Sequence, residues 1–259
     1  MIEHLEKGRL MESFVHFGFH KTGSTFIQET LRLNPKRFSR YHVVNQRNPR
    51  SSKALRTAIQ EYFRGKTDLS GARVVLRDII IKSDGKNILV SDEELAGFLP
   101  GRQREFGLYE KIRPVMDMMT EELPNVRFFT YTRPRDKWIQ SVYQEALRRH
   151  HLKMDKKNFL NALKFKGDTA DLARDLAKGY DFTHVDMSVD KERGLGHTLF
   201  LWAGLDSEEI SALNLPKRTN ESVTPSMEEA FLILNRTHSG ADLMKLKMLL
   251  SKALVEARA

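Results

Sequence analysis

Cysteine is missing from all 259 residues, so a disulfide framework, a thiolate metal site and a thiol nucleophile are excluded, and a reducing compartment is compatible with the chain. Long apolar runs are missing too: none approaches the roughly 20 residues that span a bilayer. The opening MIEHLEKGRLMESF carries acidic residues where a secretory leader has its apolar core. These absences point to a cytoplasmic protein with no transmembrane segment. Internal repeats and low-complexity tracts are also lacking, which excludes solenoid and fibrous architectures.

Positive charge is what the chain has in excess. It carries 43 Lys and Arg against 34 Asp and Glu, a formal charge of +9, so its surface field draws anions. The cations are spread along the sequence with no Lys/Arg block, and nucleic acid is not an expected partner. The length fits one α/β domain with elaborations, and residues 1–259 are read as a single domain with a polar lead-in at 1–12.

Strand and helix patterns alternate. Apolar, partly β-branched runs at Phe14–Gly18, Tyr41–Asn45, Asn87–Ser91, Val126–Thr132 and Tyr180–Met187 read as strands. Helical spacing follows Phe26 and recurs at Ala54–Phe63, Gly71–Lys82, Leu108–Leu123, from Pro134 through Leu147, at Gly194–Ala203, Met227–Leu234 and Ala241–Ala257. Ser91 reads as the N-cap of a further helix, with Glu94 as its capping-box partner. Residues 150–178 form a basic insertion with short helical pieces, a possible acceptor region. The alternation predicts a three-layer α/β domain of P-loop type: a mostly parallel central sheet flanked by helices, with the ligand at the carboxyl ends of the strands.

The first strand runs into Gly18-Phe19-His20-Lys21-Thr22-Gly23-Ser24-Thr25 and then a helix. Gly23 allows a turn in which the amides of Gly23, Ser24, Thr25 and Phe26 face one oxyanion, aided by the positive end of the helix macrodipole. Lys21 adds a full charge, and Thr22, Ser24 and Thr25 add hydroxyls. This differs from the nucleotide-triphosphatase P-loop, in which the lysine follows the last glycine and Ser or Thr follows it directly. Nor is there an evident aspartate pair at the end of an apolar strand to hold Mg²⁺.

A second pattern is Thr132-Arg133-Pro134 leading into a helix with Ser141 eight residues beyond Arg133. An arginine leaving a strand end and a serine two turns into the next helix can converge on one phosphate.

The Lys-Thr-Gly-Ser-Thr order resembles the 5′-phosphosulfate loop of sulfotransferases, particularly the bacterial-type branch with a His-Lys-Thr-Gly signature. The Arg133/Ser141 pattern resembles their 3′-phosphate motif, and the two occur in family order. The resemblance implies 3′-phosphoadenosine 5′-phosphosulfate as donor, adenosine 3′,5′-bisphosphate as product, and in-line sulfuryl transfer to an acceptor hydroxyl or amine, carbohydrate or small molecule, without a metal. It assigns Lys21 and the loop amides to the leaving phosphate, and likens Leu215–Pro225 to a donor-closing segment with Lys217, Arg218, Thr219 and Asn220 as contacts. For the general base the candidates are Glu93, Asp92 and His20. Glu93 is favoured, because Ser91-Asp92-Glu93 resembles a Ser-x-Glu element of bacterial-type relatives. The competing expectations are a P-loop kinase of a small molecule or sugar, and a non-catalytic anion-binding module. The acceptor and the oligomeric state are not legible.

Overall fold

Five short apolar runs form five parallel strands in a computed structural model that describes residues 10–46, 49–102, 109, 111–165, 167–217 and 224–256. They are β1 (Ser13–Phe17), β2 (Tyr41–Asn45), β3 (Asn87–Asp92), β4 (Val126–Thr132) and β5 (Phe182–Asp186), in the order β2-β3-β1-β4-β5. The central strand β1 is buried at every residue, whereas the outer strands β2 and β5 are partly open. That gradient is why β1 shows no alternation between apolar and exposed polar residues: a parallel strand covered on both faces has no solvent side, and even its Ser13 and His16 are buried.

The first helix, α1 (Ser24–Leu33), buries Ile27 and Leu31 and ends at Asn34, whose side-chain amide donates to Thr30 O at 2.7 Å and Asn214 O at 2.9 Å. Beyond it come α2 (Pro49–Phe63) and α3 (Ser70–Ser83), then α4 (Ile112–Glu122) and α5 (Arg135–Arg149). Two short helices, α6 (Lys156–Ala162) and α7 (Thr169–Ala177), occupy the stretch expected as an insertion. The chain continues through α8 (His197–Trp202), α9 (Ser207–Ser211), α10 (Pro225–Thr237) and α11 (Gly240–Glu256). Phe14, Leu89, Phe129 and Tyr131 form one core with Ile27 and Leu31 of α1 and Leu199 and Phe200 of α8. On further sides of the sheet α3 meets β3, and α7 meets β4 and β5.

The chain packs into two compact units: Met1–Gly97 with Tyr109–Pro134 and Gly167–Arg218, and Phe98–Leu108 with Arg135–Lys166 and Thr219–Ala259. The first contains the whole sheet. In the second, Asn235 of α10 donates to Leu147 O at 2.9 Å and Leu152 O at 2.8 Å, closing the end of α5. Lys247 of α11 donates to Leu147 O at 2.6 Å, and burial draws its ammonium down to about 8.

Three sequence expectations shift. The helix placed at Gly194–Ala203 shortens to α8, because buried Asp190 accepts from Gly196 N at 3.0 Å and Thr198 N at 3.2 Å and so fixes the start three residues later. The helix expected from Leu108 starts at Ile112. Ser91 is not a cap: β3 runs one residue further, and Asp92 caps a single 3₁₀ turn, Glu93–Ala96, by accepting from Glu94 N at 2.9 Å. Among the described residues no helix is long and apolar enough to cross a membrane.

Candidate functional site

From β1 the chain crosses to β2 on one side of the sheet, and from β4 it crosses to β5 on the other. The two connections part over the carboxyl ends of β1 and β4, which is where an open parallel sheet leaves a crevice for a ligand. The residues that follow these strands are the Gly18–Thr25 loop and Arg133.

The loop is tightly built. A Cβ on Gly18 would lie 2.0 Å from Ser24 Oγ and 2.9 Å from Ser24 Cβ, so only glycine lets the helix start fold back onto the strand end. Gly23 has φ +93°, a left-handed value, and a Cβ there would lie 2.3 Å from Leu195 Cδ2. Lys21 is itself left-handed, with φ 66°. For a lysine that conformation costs roughly 1–2 kcal/mol, and such outliers gather at ligand sites.

Two loop amides are already engaged: Thr22 N–H donates to Phe19 O at 3.2 Å, and Phe26 N–H to Gly23 O at 3.0 Å. The amides of Gly23, Ser24 and Thr25 remain at the open helix end, where the first turn has no intrahelical acceptors. Phe26, expected as a fourth donor, is thus spent inside the turn. Thr22 is likewise committed, its hydroxyl donating to Phe19 O at 2.5 Å. Ser24 Oγ, by contrast, is buried without a hydrogen-bond partner among the described residues. A buried hydroxyl in that state costs about 1–3 kcal/mol until a ligand or water satisfies it.

Arg133 meets this loop. Its Nη1 donates to Lys21 O at 3.2 Å, although the two residues lie 112 positions apart. Its backbone is clamped by Thr169, at the start of α7: Arg133 N–H donates to Thr169 Oγ1 at 3.1 Å, and that hydroxyl donates to Arg133 O at 2.9 Å. Burial draws the guanidinium below the usual arginine range, while the charge of Asp186 at the end of β5 acts the other way. The half-buried cation is therefore poorly solvated and gains by meeting an anion.

Glu93 opens the turn after β3, half-buried, with its Cβ 3.4 Å from where a Cβ on Gly18 would stand. Its charge reaches the buried hydroxyl of Tyr109, which accepts from His20 N at 3.2 Å. His20 is buried, and Nε2 donates to Gly97 O at 2.9 Å, so the ring pins the end of the 3₁₀ turn to the loop. Asp92 is held by Arg56 Nε at 3.0 Å and Gln46 Nε2 at 2.9 Å. Burial raises its carboxyl above the usual range, with Arg56 opposing. Its oxygens are taken up by these partners and the Glu94 amide, an arrangement that suits an anchor rather than a base.

Ser141 stands half-buried on α5, in the second unit, and Lys217 is exposed in the first. Arg218, Thr219 and Asn220 lie outside the described residues. Thr25 is exposed at the first turn of α1. Thr169, Asp186, Tyr109 and Leu195 belong to the site without having been singled out from sequence. Their signals are weak there, a lone threonine before a helix or a leucine between glycines. Among the described residues no cluster of three or more His, Asp and Glu side chains is arranged to hold a metal ion. Compared with known proteins, the chain matches neither a family model nor a curated relative.

Proposed function

We propose that the chain is a sulfotransferase that uses 3′-phosphoadenosine 5′-phosphosulfate and acts on an acceptor hydroxyl or amine. The observation that supports the reading is the Arg133 Nη1 to Lys21 O contact at 3.2 Å, which joins the arginine after β4 to the glycine loop after β1. A donor with phosphates on both sides of its ribose fits a pair of adjacent cation sites on separate strand ends. The unpartnered Ser24 hydroxyl and the open amides of Gly23, Ser24 and Thr25 fit the 5′ side of such a molecule.

When bound, the donor supplies a sulfuryl group whose leaving atom is a phosphate oxygen. Lys21 and the open amides offer preorganised positive charge to that oxygen, and Arg133 holds the 3′-phosphate. Glu93 takes the acceptor's proton. The basic surface draws both polyanionic donor and acidic acceptors.

The test is transfer of labelled sulfur from the donor to a cell extract by the wild type and by Glu93→Ala. Transfer by the wild type, and a loss of at least about 100-fold in Glu93→Ala with donor affinity unchanged, is expected. Full activity in that variant would remove Glu93 from its role, and no transfer by the wild type in any extract would count against the function.

A further inference from the structure

Among the described residues the outer strand β2 pairs with β3 alone, so the ladder ends there. Along its open side runs a groove of about 660 Å³, floored by Leu31, Phe38 and Val43 and rimmed by Arg32, Lys82 and Lys86. An outer strand presents the N–H and C=O of every second residue to that side, which is a template for another strand. The five residues of β2 give it a length of about 17 Å, enough for a short extended segment.

The charge of the groove says what kind of segment fits. Lys36 and Arg37, exposed in the turn between the lining residues Pro35 and Ser39, continue the cationic rim. Of the nearby acids, Glu29 is bound to Arg32 at 2.5 Å and Asp78 to Lys82 at 2.6 Å, which leaves Asp84 alone against Lys86, Lys36 and Arg37. The ring of His42 is held below the ordinary histidine range by burial first and then by Lys86 and Lys82, with Asp78 opposing. Edge-to-edge pairing with a second copy would bring these cations face to face, a common way of blocking self-association at an open strand. A strand bearing carboxylates meets the opposite situation.

We propose that β2 is a docking edge that takes an extended acidic segment of a partner protein as a sixth strand. The backbone of β2 supplies the ladder, and Lys86 with Lys36 and Arg37 of the turn before β2 supply the preference for carboxylates. This inference is independent of the nucleotide reading, whose residues follow the central strands β1 and β4.

The test is fluorescence anisotropy of the full chain with a labelled octapeptide of alternating Val and Glu, at low and physiological salt. Its comparators are the same peptide with Lys in place of Glu and the same peptide N-methylated at alternate amides. The acidic peptide is expected to bind at least about tenfold more tightly than either, and Lys36→Glu/Lys86→Glu is expected to reverse the charge preference. Both lysines are exposed, so the double variant keeps the core intact. Equal binding of the N-methylated peptide would rule out strand pairing, and an unchanged preference in the double variant would rule out the rim. A dimer in sedimentation that the acidic peptide dissociates would assign this edge to a second copy and overturn the proposal.

Discussion

Gly18→Ala is the sharpest test of how the loop is assembled. The new methyl would stand 2.0 Å from Ser24 Oγ and 2.9 Å from Ser24 Cβ, where ordinary contact begins at 3.4 Å. Rotating the Ser24 hydroxyl relieves the first clash but not the second, because the Cβ of residue 24 moves only with α1. The helix start must therefore retreat from the strand end, at a cost of about 1–3 kcal/mol for overpacking. Taking about 2 kcal/mol and about 2–4 °C for each kcal/mol in a domain of this size, the melting temperature falls by about 4–8 °C. A double-mutant cycle separates the two clashes: Ser24→Ala added to Gly18→Ala recovers part of the loss, and Ser24→Gly recovers more after its own helix cost of roughly 1 kcal/mol is subtracted. Thermal melts and urea titrations of the six proteins, wild type, three single variants and two doubles, measure this order. If Gly18→Ala melts with the wild type, or if neither change at 24 couples to it, the close approach of strand end and helix start is not as described.

Thr169→Val strips the Arg133 N–H and C=O of their common partner. It should destabilise the fold by about 1–3 kcal/mol and weaken adenosine 3′,5′-bisphosphate by about tenfold; full affinity by calorimetry would show that Arg133 needs no clamp. His16, wholly buried in β1, has its ring drawn down to about 3 from 6.5 by burial. As pH falls from about 6.5 toward 3, the unfolded chain takes a proton the folded ring refuses, so stability drops by at most about 1.4 kcal/mol per unit. Urea unfolding at pH 7 and pH 5 should show this slope in the wild type and a shallower one in His16→Leu, and identical slopes would contradict it.

The inner strands β1, β3 and β4 were legible because a strand covered on both faces leaves a compact, mostly apolar run between turn signals, and the glycine loop because its chemistry is concentrated in eight consecutive residues. Arg133 was legible as a cation directly after a strand, since strand ends in a parallel sheet share one edge. The sheet order was not, because nothing local records which strand a crossover skips. Thr169 escaped because its partner lies 36 residues away in sequence and its hydroxyl looks like any helix-start threonine. His16 escaped because a histidine inside an apolar run resembles a surface interruption, whereas here its Nδ1 meets Ser91 Oγ at 2.9 Å and the ring is sealed. The displaced cap at Asp92 has the same root: Arg56 and Gln46, brought from distant helix and loop, make that carboxylate the better anchor.

The central claim, that one crevice holds a nucleotide by phosphates on both sides of its ribose, is tested most directly by thermal melting with adenosine 3′,5′-bisphosphate against ATP with Mg²⁺ at matched concentrations. A ligand present at a hundred times its dissociation constant stabilises by about 2.7 kcal/mol. Adenosine 3′,5′-bisphosphate is expected to give a clear rise and ATP with Mg²⁺ a smaller one, with the difference lost in Arg133→Ala. Equal shifts for the two nucleotides, or a larger one for ATP, would contradict it.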